Sequence, residues 1–328
     1  MNDLLKLMQK AVPDGGILSG DSSELEVQKV SIGIPPLDML LGGGLPRKRI
    51  TLIIGDEGHG KTFFATKIAT EFQKQGLSVV YVDVEHSFEP IWAAQLGLKL
   101  DDPNFLVAQP PSGEAAIDVV SAALLQGVDL VILDSAAALT PIKLMEAKGE
   151  NVFVGLVARL LSPAISRWVE INQKTALVII NQTRVTIGTP IAQERLPGGR
   201  MQTFMAALIV RVRRRGWLNT SGKKTGFPMM FRVEKTKLPG VAPWSSCEVP
   251  FLFDGSLDVV EALVDVAISK GIIKQTGAHY YIWDKDIYGR NNLIALFRED
   301  TELVKMLLTE ASLMTIEEEE GTTEIQPE

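Results

Sequence analysis

Cysteine is nearly absent from this sequence, and long hydrophobic runs are absent altogether. Cys247 is the only cysteine, so the chain can form no internal disulfide and no zinc site built on several cysteines. No apolar run approaches the roughly 18 to 20 residues that cross a bilayer. The first residues lack the basic region and the small-residue cleavage site of a secretory signal. We therefore expect a cytoplasmic protein with no membrane partner.

Net charge argues against a nucleic-acid partner, but the distribution of charge favours one. The chain carries 33 lysines and arginines against 40 aspartates and glutamates, a net charge of −7. Basic side chains predominate in one central segment, namely Arg195, Arg200, Arg211, Arg213, Arg214, Arg215, Lys223 and Lys224. Acidic ones predominate at the C-terminus, namely Glu317, Glu318, Glu319, Glu320, Glu324 and Glu328. A basic middle and an acidic tail form a dipolar layout that the net charge conceals.

Short apolar runs alternate with amphipathic segments from about residue 30 to 250. The predicted strands are residues 50–54, 78–84, 128–133, 176–181 and 206–213. The predicted helices are residues 61–75, 89–96, 113–126 and 152–172. Strands that are apolar almost throughout and are separated by helices are typical of a parallel sheet covered on both faces. The sequence therefore predicts an α/β fold with a mostly parallel sheet flanked by helices.

Two further units flank this region. Residues 1–12 place apolar side chains at spacings of three and four, which predicts a short amphipathic helix. Such a helix is marginal alone, so its stripe must pack on the protein's own core or on a neighbouring subunit. After residue 256 we predict a small α+β unit with helices at 257–270 and 300–312 and a hairpin near Gly277 to Trp283. The acidic C-terminal residues are predicted to be disordered.

A glycine-rich motif, Gly-x-x-x-x-Gly-Lys-Thr, follows the predicted strand at 50–54 and opens the helix at 61–75. A phosphate-binding loop requires this order of elements. Its glycines let backbone N–H groups approach phosphate oxygens, and the helix N-terminus adds partial positive charge. We expect Lys61 to neutralise the β and γ phosphates of ATP and the Thr62 hydroxyl to bind Mg²⁺. The nucleotide-binding residues of this loop are Gly55, Asp56, Glu57, Gly58, His59, Gly60, Lys61 and Thr62.

Acidic residues follow two of the predicted strands. Asp134 ends the strand at 128–133, which is the Walker B pattern in which an aspartate holds magnesium, usually through water. The strand at 78–84 ends at Asp83 and Glu85, either of which could orient the water that attacks ATP. Period-two alternation puts both carboxylates on one face, so the pattern alone does not choose between them.

Four short motifs occur in a fixed order along the chain. They are Lys61-Thr62, the run Asp83-Val84-Glu85-His86-Ser87-Phe88-Glu89-Pro90, Asp134-Ser135 followed by Ala137-Ala138-Leu139-Thr140-Pro141, and Ile180-Asn181-Gln182-Thr183-Arg184. Their order and spacing resemble the bacterial RecA recombinase family from about residue 25 to 315. The Glu-His-x-x-x-Pro and Ile-Asn-Gln-x-Arg blocks distinguish that family from other phosphate-loop ATPases. The resemblance implies a RecA-type ATPase core.

The resemblance assigns further residues to the ATP site. Glu85 matches the catalytic glutamate that polarises the attacking water, and Gln182 matches the glutamine that senses the γ-phosphate. Trp92 stands where the family has a tyrosine that packs on adenine. Lys235 and Lys237 match a pair that reaches across a subunit boundary to the neighbour's ATP. The alternative for this lysine pair is a solvated strand edge.

The resemblance also implies two DNA-binding loops, at about residues 143–155 and 184–199. In the family, both line the filament axis and hold single-stranded DNA by its backbone, with an apolar wedge between base triplets. Cationic loops suit binding without sequence preference. The matching residues are Arg159, Arg167 and Arg184 for the backbone, Ile187 for the wedge, and Gly198 and Gly199 for a hinge. The cluster of Arg211 and Arg213 to Arg215 is either a further basic surface for DNA or a solvated strand end.

The resemblance implies an ATP-dependent DNA recombinase that forms helical filaments on single-stranded DNA and exchanges strands with homologous double-stranded DNA. Such a protein is a DNA-dependent ATPase of recombination, DNA repair and the SOS response to DNA damage. The implied units are an assembly helix with a linker at 1–29, the ATPase core at 30–255, a small α+β DNA-capturing domain at 256–315 and a regulatory acidic tail at 316–328.

Two other functions could use the same core. The first is a RecA-fold mediator that binds ATP without exchanging strands. The unusual centre of the phosphate loop, Asp56 to His59, and a shortened second DNA loop support it, whereas the presence of the catalytic residues argues against it. The second is a hexameric helicase, which would need a different N-terminal domain. His59 stands where the family has a small residue, and it either tunes phosphate access or points to solvent.

Overall fold

The protein is described by a computed structural model that covers residues 3–13, 15–145, 153–185, 194–220 and 222–320. The helices are α1 (Asp3–Ala11), α2 (Pro35–Leu40), α3 (Lys61–Lys74), α4 (Pro90–Gln95), α5 (Gly113–Leu125), α6 (Ile142–Met145), α7 (Phe153–Ile171), α8 (Met201–Met205), α9 (Val259–Ser269), α10 (Arg290–Glu299) and α11 (Thr301–Glu320). The strands are β1 (Lys29–Val30), β2 (Leu45–Pro46), β3 (Arg49–Gly55), β4 (Val79–Asp83), β5 (Phe105–Ala108), β6 (Leu130–Asp134), β7 (Ala176–Gln182), β8 (Arg184–Val185), β9 (Glu194–Arg195), β10 (Leu208–Arg214), β11 (Leu218–Thr220), β12 (Lys223–Thr236), β13 (Ser246–Leu252), β14 (Lys274–Thr276), β15 (His279–Ile282) and β16 (Lys285–Tyr288).

A mostly parallel sheet forms the centre of the fold. Its strands lie in the order β11-β12-β10-β3-β7-β6-β4-β5, and β13 pairs with β12. Strands β10 to β5 of this order are parallel to one another, whereas β11, β12 and β13 pair antiparallel. This architecture confirms the predicted α/β fold class. The carboxyl ends of β3, β7, β6 and β4 meet at one edge, where ligands bind in sheets of this kind.

Apolar layers cover both faces of the sheet. One layer joins α2, α3 and α9 to the sheet, and the other joins α5 and α7 to the opposite face. In the second layer Trp168 of α7 is completely buried, and its indole N–H donates to Ser121 Oγ of α5 at 2.9 Å. This bond satisfies a donor that would otherwise be costly to bury. Packed helices therefore support the sheet on both faces.

The predicted elements of the core are confirmed, with ends that differ by at most two residues. Within the core, β12 and β13 are the longest elements that the pattern misses, and outside the core the pattern also misses α10. The long β12 contains Gly226 and Pro228, which are residue types that usually interrupt strands, so its apolar positions do not read as one strand. It is nevertheless paired on both sides, with β10 and β13.

The two ends of the chain carry the remaining elements. Helix α1 confirms the predicted N-terminal helix, and its apolar side chains remain exposed, with Leu4 at 63% and Leu7 at 65%. At the other end, α9 and α11 lie where helices were predicted and β14 pairs with β15 around Gly277, whereas β16 and α10 were not predicted. Within the part of the chain that the structure describes, every helix is too short or too polar to span a bilayer.

The prediction of disorder from residue 316 is wrong for its first residues. Helix α11 continues to Glu320, beyond the predicted helix end at 312. Glutamate is a good helix former, so an acidic run can prolong a helix whose beginning is packed, as Leu307 is here. The rest of the predicted tail, residues 321–328, lies outside the described residues.

Candidate nucleotide and DNA site

The phosphate loop connects β3 to α3 in the predicted order. Gly55 lies so close to β10 that a Cβ atom there would be 2.3 Å from the carbonyl oxygen of Val212. Gly60 caps α3 with a left-handed φ of 84°, and a Cβ there would be 2.8 Å from Met229 Cε. Both positions therefore require glycine. The loop leads directly into the N-terminus of α3, the arrangement that favours bound phosphate.

Lys61, the first residue of α3, is buried at the start of this helix. Its Nζ donates to the backbone carbonyl of Asp56 at 2.7 Å. Burial lowers the pKa of Lys61, while the carboxylates of Asp134 and Glu85 oppose that shift. The Lys61 ammonium therefore lies inside the phosphate loop, where the carboxylates of Asp134 and Glu85 attract it.

Asp134 is buried at the end of β6 and accepts two hydroxyl hydrogen bonds. Thr62 Oγ1 donates to its Oδ2 at 2.9 Å, and Tyr81 OH donates to the same atom at 2.7 Å. Burial raises the pKa of Asp134 to about 6, while those two hydrogen bonds act in the opposite direction. A hydroxyl and a buried carboxylate in contact are hard oxygen ligands of the type that Mg²⁺ prefers. The described residues contain no cluster of three or more metal-ligating side chains, so phosphate oxygens and water would complete such a site.

The two acids that the pattern left open, Asp83 and Glu85, have different surroundings. Asp83 is completely buried and accepts from the backbone N–H groups of Ser87 and Phe88, both at 3.0 Å. Glu85 lies after the end of β4, where strand alternation no longer applies. Its Oε1 accepts from Ser135 Oγ and, at 3.0 Å, from Gln182 Nε2. Asp83 therefore holds the chain turn, and Glu85 is the carboxylate at the sheet edge.

Gln182 and the residues around it connect this edge to the second predicted DNA loop. Asn181 donates from Nδ2 to Gln202 Oε1 at 2.7 Å and to the carbonyl of Pro197 at 2.9 Å. Gln202 also donates to the carbonyl of Gly199 at 3.0 Å. These bonds attach the C-terminal end of the second loop to the end of β7, beside the Gln182 contact with Glu85.

His59 is not directed to solvent, so that interpretation is wrong. Its side chain is only 21% exposed, and its Nδ1 lies 3.9 Å from Asp56 Oδ2. Burial lowers the pKa of His59, and the nearby Lys61 adds to that effect. The imidazole is therefore partly buried in the loop, beside the Asp56 carboxylate.

Trp92, Lys235 and Lys237 lie at other places around the sheet. Trp92 is partly buried on α4 and packs on the core next to Gly255. Lys235 Nζ donates to the carbonyl of Thr203 at 2.6 Å, and Lys237 Nζ donates to that of Phe204 at 3.0 Å. Both lysines thus hold the C-terminal end of α8, and the structure does not bring them to the phosphate loop of their own chain.

The predicted DNA-contacting residues that the structure describes lie on α7 and at the two ends of the second loop. Arg159 and Arg167 are exposed on α7, and Arg184 is exposed on β8. Gly198 and Gly199 pack on α7, because added Cβ atoms would lie 2.7 Å from Leu161 Cδ2 and 3.1 Å from Ala158 Cβ. Ile187, most of the first loop (residues 146–152) and the centre of the second loop (residues 186–193) lie outside the described residues.

The basic cluster of Arg211 and Arg213 to Arg215 divides into a buried and an exposed part, so neither a DNA surface nor a solvated strand end describes all four arginines. Arg211 is buried and pairs with Glu234 and, at 2.7 Å, with Glu194. These partners raise the pKa of Arg211 against the opposing effect of burial. Arg213, Arg214 and Arg215 are exposed. The sequence distance of Glu194 and Glu234 from Arg211 concealed the buried pair, since only the fold brings them together.

Comparison with known proteins agrees with this geometry. A family model described as the RecA N-terminal domain matches residues 1–258, more than half of the chain. The chain belongs to the RecA family. It is 33% identical over 320 residues to Protein RecA of Thermus thermophilus, covering 94% of this chain and 92% of that protein. It is 35% identical over 311 residues to Protein RecA of Chlorobaculum tepidum, covering 92% and 89% of the two chains.

Membership of the RecA family establishes the broad function. The chain is a RecA recombinase, a nucleotide-binding and DNA-dependent ATPase of DNA recombination and repair. This function is favoured over the mediator without strand exchange.

Another relative, Protein RecA of Ruminococcus albus, is 34% identical over 295 residues, covering 88% of this chain and 73% of that protein.

Three contacts of the RecA site were not visible in the sequence pattern. Tyr81 contacts Asp134, Ser135 contacts Glu85, and Thr183 contacts Asp56. Ser135 and Thr183 stand directly after Asp134 and Gln182, so adjacency to predicted site residues was the available signal for them. Tyr81 lies inside an apolar strand, where its hydroxyl gives no sign of its partner.

Proposed function

We propose that this RecA protein binds ATP with Mg²⁺, polymerises on single-stranded DNA and exchanges strands with homologous duplex DNA. The observation that carries the proposal is the cluster at one sheet edge. There Lys61 opens α3, Thr62 contacts Asp134, and Glu85 accepts from Gln182 at 3.0 Å. A cation, a hydroxyl–carboxylate pair and a second carboxylate are the parts that phosphoryl transfer to water uses.

In this proposal each residue has a separate task. Lys61 exchanges its bond with the Asp56 carbonyl for the β and γ phosphates and offsets their charge. Thr62 and Asp134 hold Mg²⁺, which supplies charge neutralisation at the phosphates when bound. Glu85 orients the attacking water and accepts its proton, and Ser135 keeps the carboxylate in place through its hydroxyl. Trp92 packs on the adenine.

We further propose that Lys235 and Lys237 act on the ATP of a neighbouring subunit. The backbone N–H of Lys237 donates to the carbonyl of Ala207, and the N–H of Ala207 donates to the carbonyl of Ile50. Lys237 therefore lies beside the start of β3. The phosphate loop begins at the other end of β3, roughly 16 Å away along the strand. Lys235 pairs with Ile209, which pairs with Leu52, roughly 10 Å from that end of β3. Both separations exceed the reach of a lysine side chain, so the two lysines fit a task in trans, which would make hydrolysis depend on assembly.

The proposed partners are DNA strands and further copies of the chain. Arg159, Arg167 and Arg184 would contact the backbone of single-stranded DNA, with Gly198 and Gly199 as the hinge of the second loop. Ile187 would be the wedge between bases. The unit from 256 onward would capture duplex DNA, and the acidic tail would compete with DNA for basic surface. A cytoplasmic location fits these partners.

We expect single-stranded DNA to stimulate ATP hydrolysis at least about tenfold, because assembly on DNA brings the lysine pair of one subunit to the ATP of the next. Phosphate release is measured with and without poly(dT) at low salt. The stimulation should fall steeply as salt rises, since cationic side chains release counterions when they bind DNA.

Lys174, an exposed lysine that pairs with Asp129, provides the matched control. Replacing Lys174 by alanine should leave the stimulation unchanged, whereas replacing Lys235 should remove it. Equal hydrolysis rates with and without DNA in the unmodified protein would contradict the proposal.

A further inference from the structure

Asp56, at the start of the phosphate loop, is held at two points. Its backbone carbonyl accepts from Lys61 Nζ at 2.7 Å. Its side-chain Oδ1 accepts from Thr183 Oγ1, a residue far away in sequence. The backbone N–H of Thr183 also donates to the carbonyl of Gly55 at 3.2 Å. The phosphate loop and the segment after β7 are therefore joined by one side-chain bond and one backbone bond.

Thr183 occupies the point at which the chain leaves the sheet. It follows Gln182, the last residue of β7, whose side chain contacts Glu85. It precedes Arg184, the first residue of the second proposed DNA loop. Any movement of the Thr183 hydroxyl is thus a movement at the root of that loop.

The charge of Asp56 explains why its side chain needs a hydrogen-bond donor. The hydrogen bond from Thr183 is the main cause that lowers the pKa of Asp56, so the carboxylate is charged. A negative side chain inside a loop that receives phosphates is repelled by them and is best placed when a donor holds it to one side. Thr183 is the donor that does so, while His59 Nδ1 lies 3.9 Å from the other carboxylate oxygen.

We infer that Asp56 is a positioning residue that couples phosphate binding to the second DNA loop through its bond with Thr183. The inference rests on the proposed function and adds a second connection beside Gln182. When Lys61 exchanges the Asp56 carbonyl for phosphate, Asp56 loses its backbone restraint and keeps only the side-chain bond with Thr183. A shift of Asp56 then moves its carboxylate, and the hydrogen bond to Thr183 moves the start of the second loop at Arg184. Coupling of this kind is a difference in DNA affinity between nucleotide states.

The test measures the affinity for fluorescent oligo(dT) with a slowly hydrolysed ATP analogue and with ADP, and takes the ratio. Thr183→Val removes the hydroxyl at nearly constant volume, and Thr183→Ser retains it. We expect Thr183→Val to lower the ratio by about fivefold or more, the scale of typical allosteric coupling, and Thr183→Ser to stay within about twofold of the unmodified protein. Both nucleotides are used at saturating concentration, because the Asp56 carboxylate that Thr183→Val releases should also weaken phosphate binding, whereas Thr183→Ser should bind the ATP analogue like the unmodified protein.

A double-mutant cycle with Asp56→Ala decides whether the two residues act as one connection. The double variant should lose no more than either single variant, because both remove the same bond. An unchanged ratio in Thr183→Val, or losses that multiply in the double variant, would overturn the inference. Asp56 is half exposed, so Asp56→Ala compared with Asp56→Asn, which keeps the acceptor oxygen, gives the same decision if Thr183→Val folds poorly.

Failure of this inference and failure of the proposed function have different signatures. If the unmodified protein binds DNA equally well with the ATP analogue and with ADP, the proposed ATP-controlled recombinase is contradicted. If the unmodified protein shows strong coupling that Thr183→Val leaves intact, only the role of Asp56 and Thr183 is lost.

Discussion

Replacing Lys61 by alanine is expected to abolish ATP hydrolysis. Lys61 is buried at the N-terminus of α3, among the carboxylates of Asp134 and Glu85, and it is the cation at the phosphate loop itself. Without it, the phosphates would lose their side-chain cation and would still be repelled by those two carboxylates. We expect a loss of at least about 100-fold in turnover, the scale seen when one charge-stabilising group is removed from an active site. Phosphate release in the presence of single-stranded DNA measures it.

Lys74 is the matched control for this substitution. It lies in the last turn of the same helix, and its exposed side chain pairs with Glu71 at 3.2 Å. Lys74→Ala should hydrolyse ATP at the unmodified rate and melt at a similar temperature. Substantial DNA-stimulated hydrolysis by Lys61→Ala would mean that the phosphate site lies elsewhere.

Deleting residues 1–12 is expected to leave a folded protein that does not form filaments. Helix α1 exposes Leu4, Leu7 and Met8, so its loss opens no cavity in the described core. The same exposed stripe is the surface that a neighbouring subunit would cover. Burying two leucines of this kind contributes about 3 kcal/mol, or roughly 100-fold in association. Electron microscopy on single-stranded DNA with an ATP analogue measures filament length.

Point variants separate the apolar stripe from the helix as a whole. Leu4→Ala with Leu7→Ala should shorten filaments, whereas Lys6→Ala with Lys10→Ala, on the polar side of the same helix, should not. Alanine preserves helix propensity in both variants, so only the removed side chains differ. Filaments of normal length after deletion of residues 1–12 would rule out α1 as the assembly element.

The sequence was informative wherever one local pattern decided the structure. The apolar strands and the motif around Lys61 predicted the sheet and the phosphate loop, because a buried parallel strand and a loop that binds phosphate each allow few residue types. The position of Asp134 at the end of β6 followed from the same argument. For the strands and the loop, local sequence and final structure are consistent.

Contacts between distant segments could not be predicted in this way. The choice of Glu85 over Asp83 depends on β4 ending at Asp83, which places Ser135 and Gln182 around the second carboxylate only. The buried state of Arg211 depends on two glutamates from other segments. The bond between Asp56 and Thr183 likewise joins two loops that only the pairing of β3 with β7 brings together.

Strand exchange is the most direct test of the central claim. Circular single-stranded DNA and homologous linear duplex are incubated with the protein, ATP and Mg²⁺, and the products are separated on an agarose gel. We predict joint molecules and nicked circles with the homologous duplex and none with an unrelated duplex of equal length. A protein that hydrolyses ATP on DNA yet yields no exchange product from the homologous pair would contradict the account and support the mediator instead.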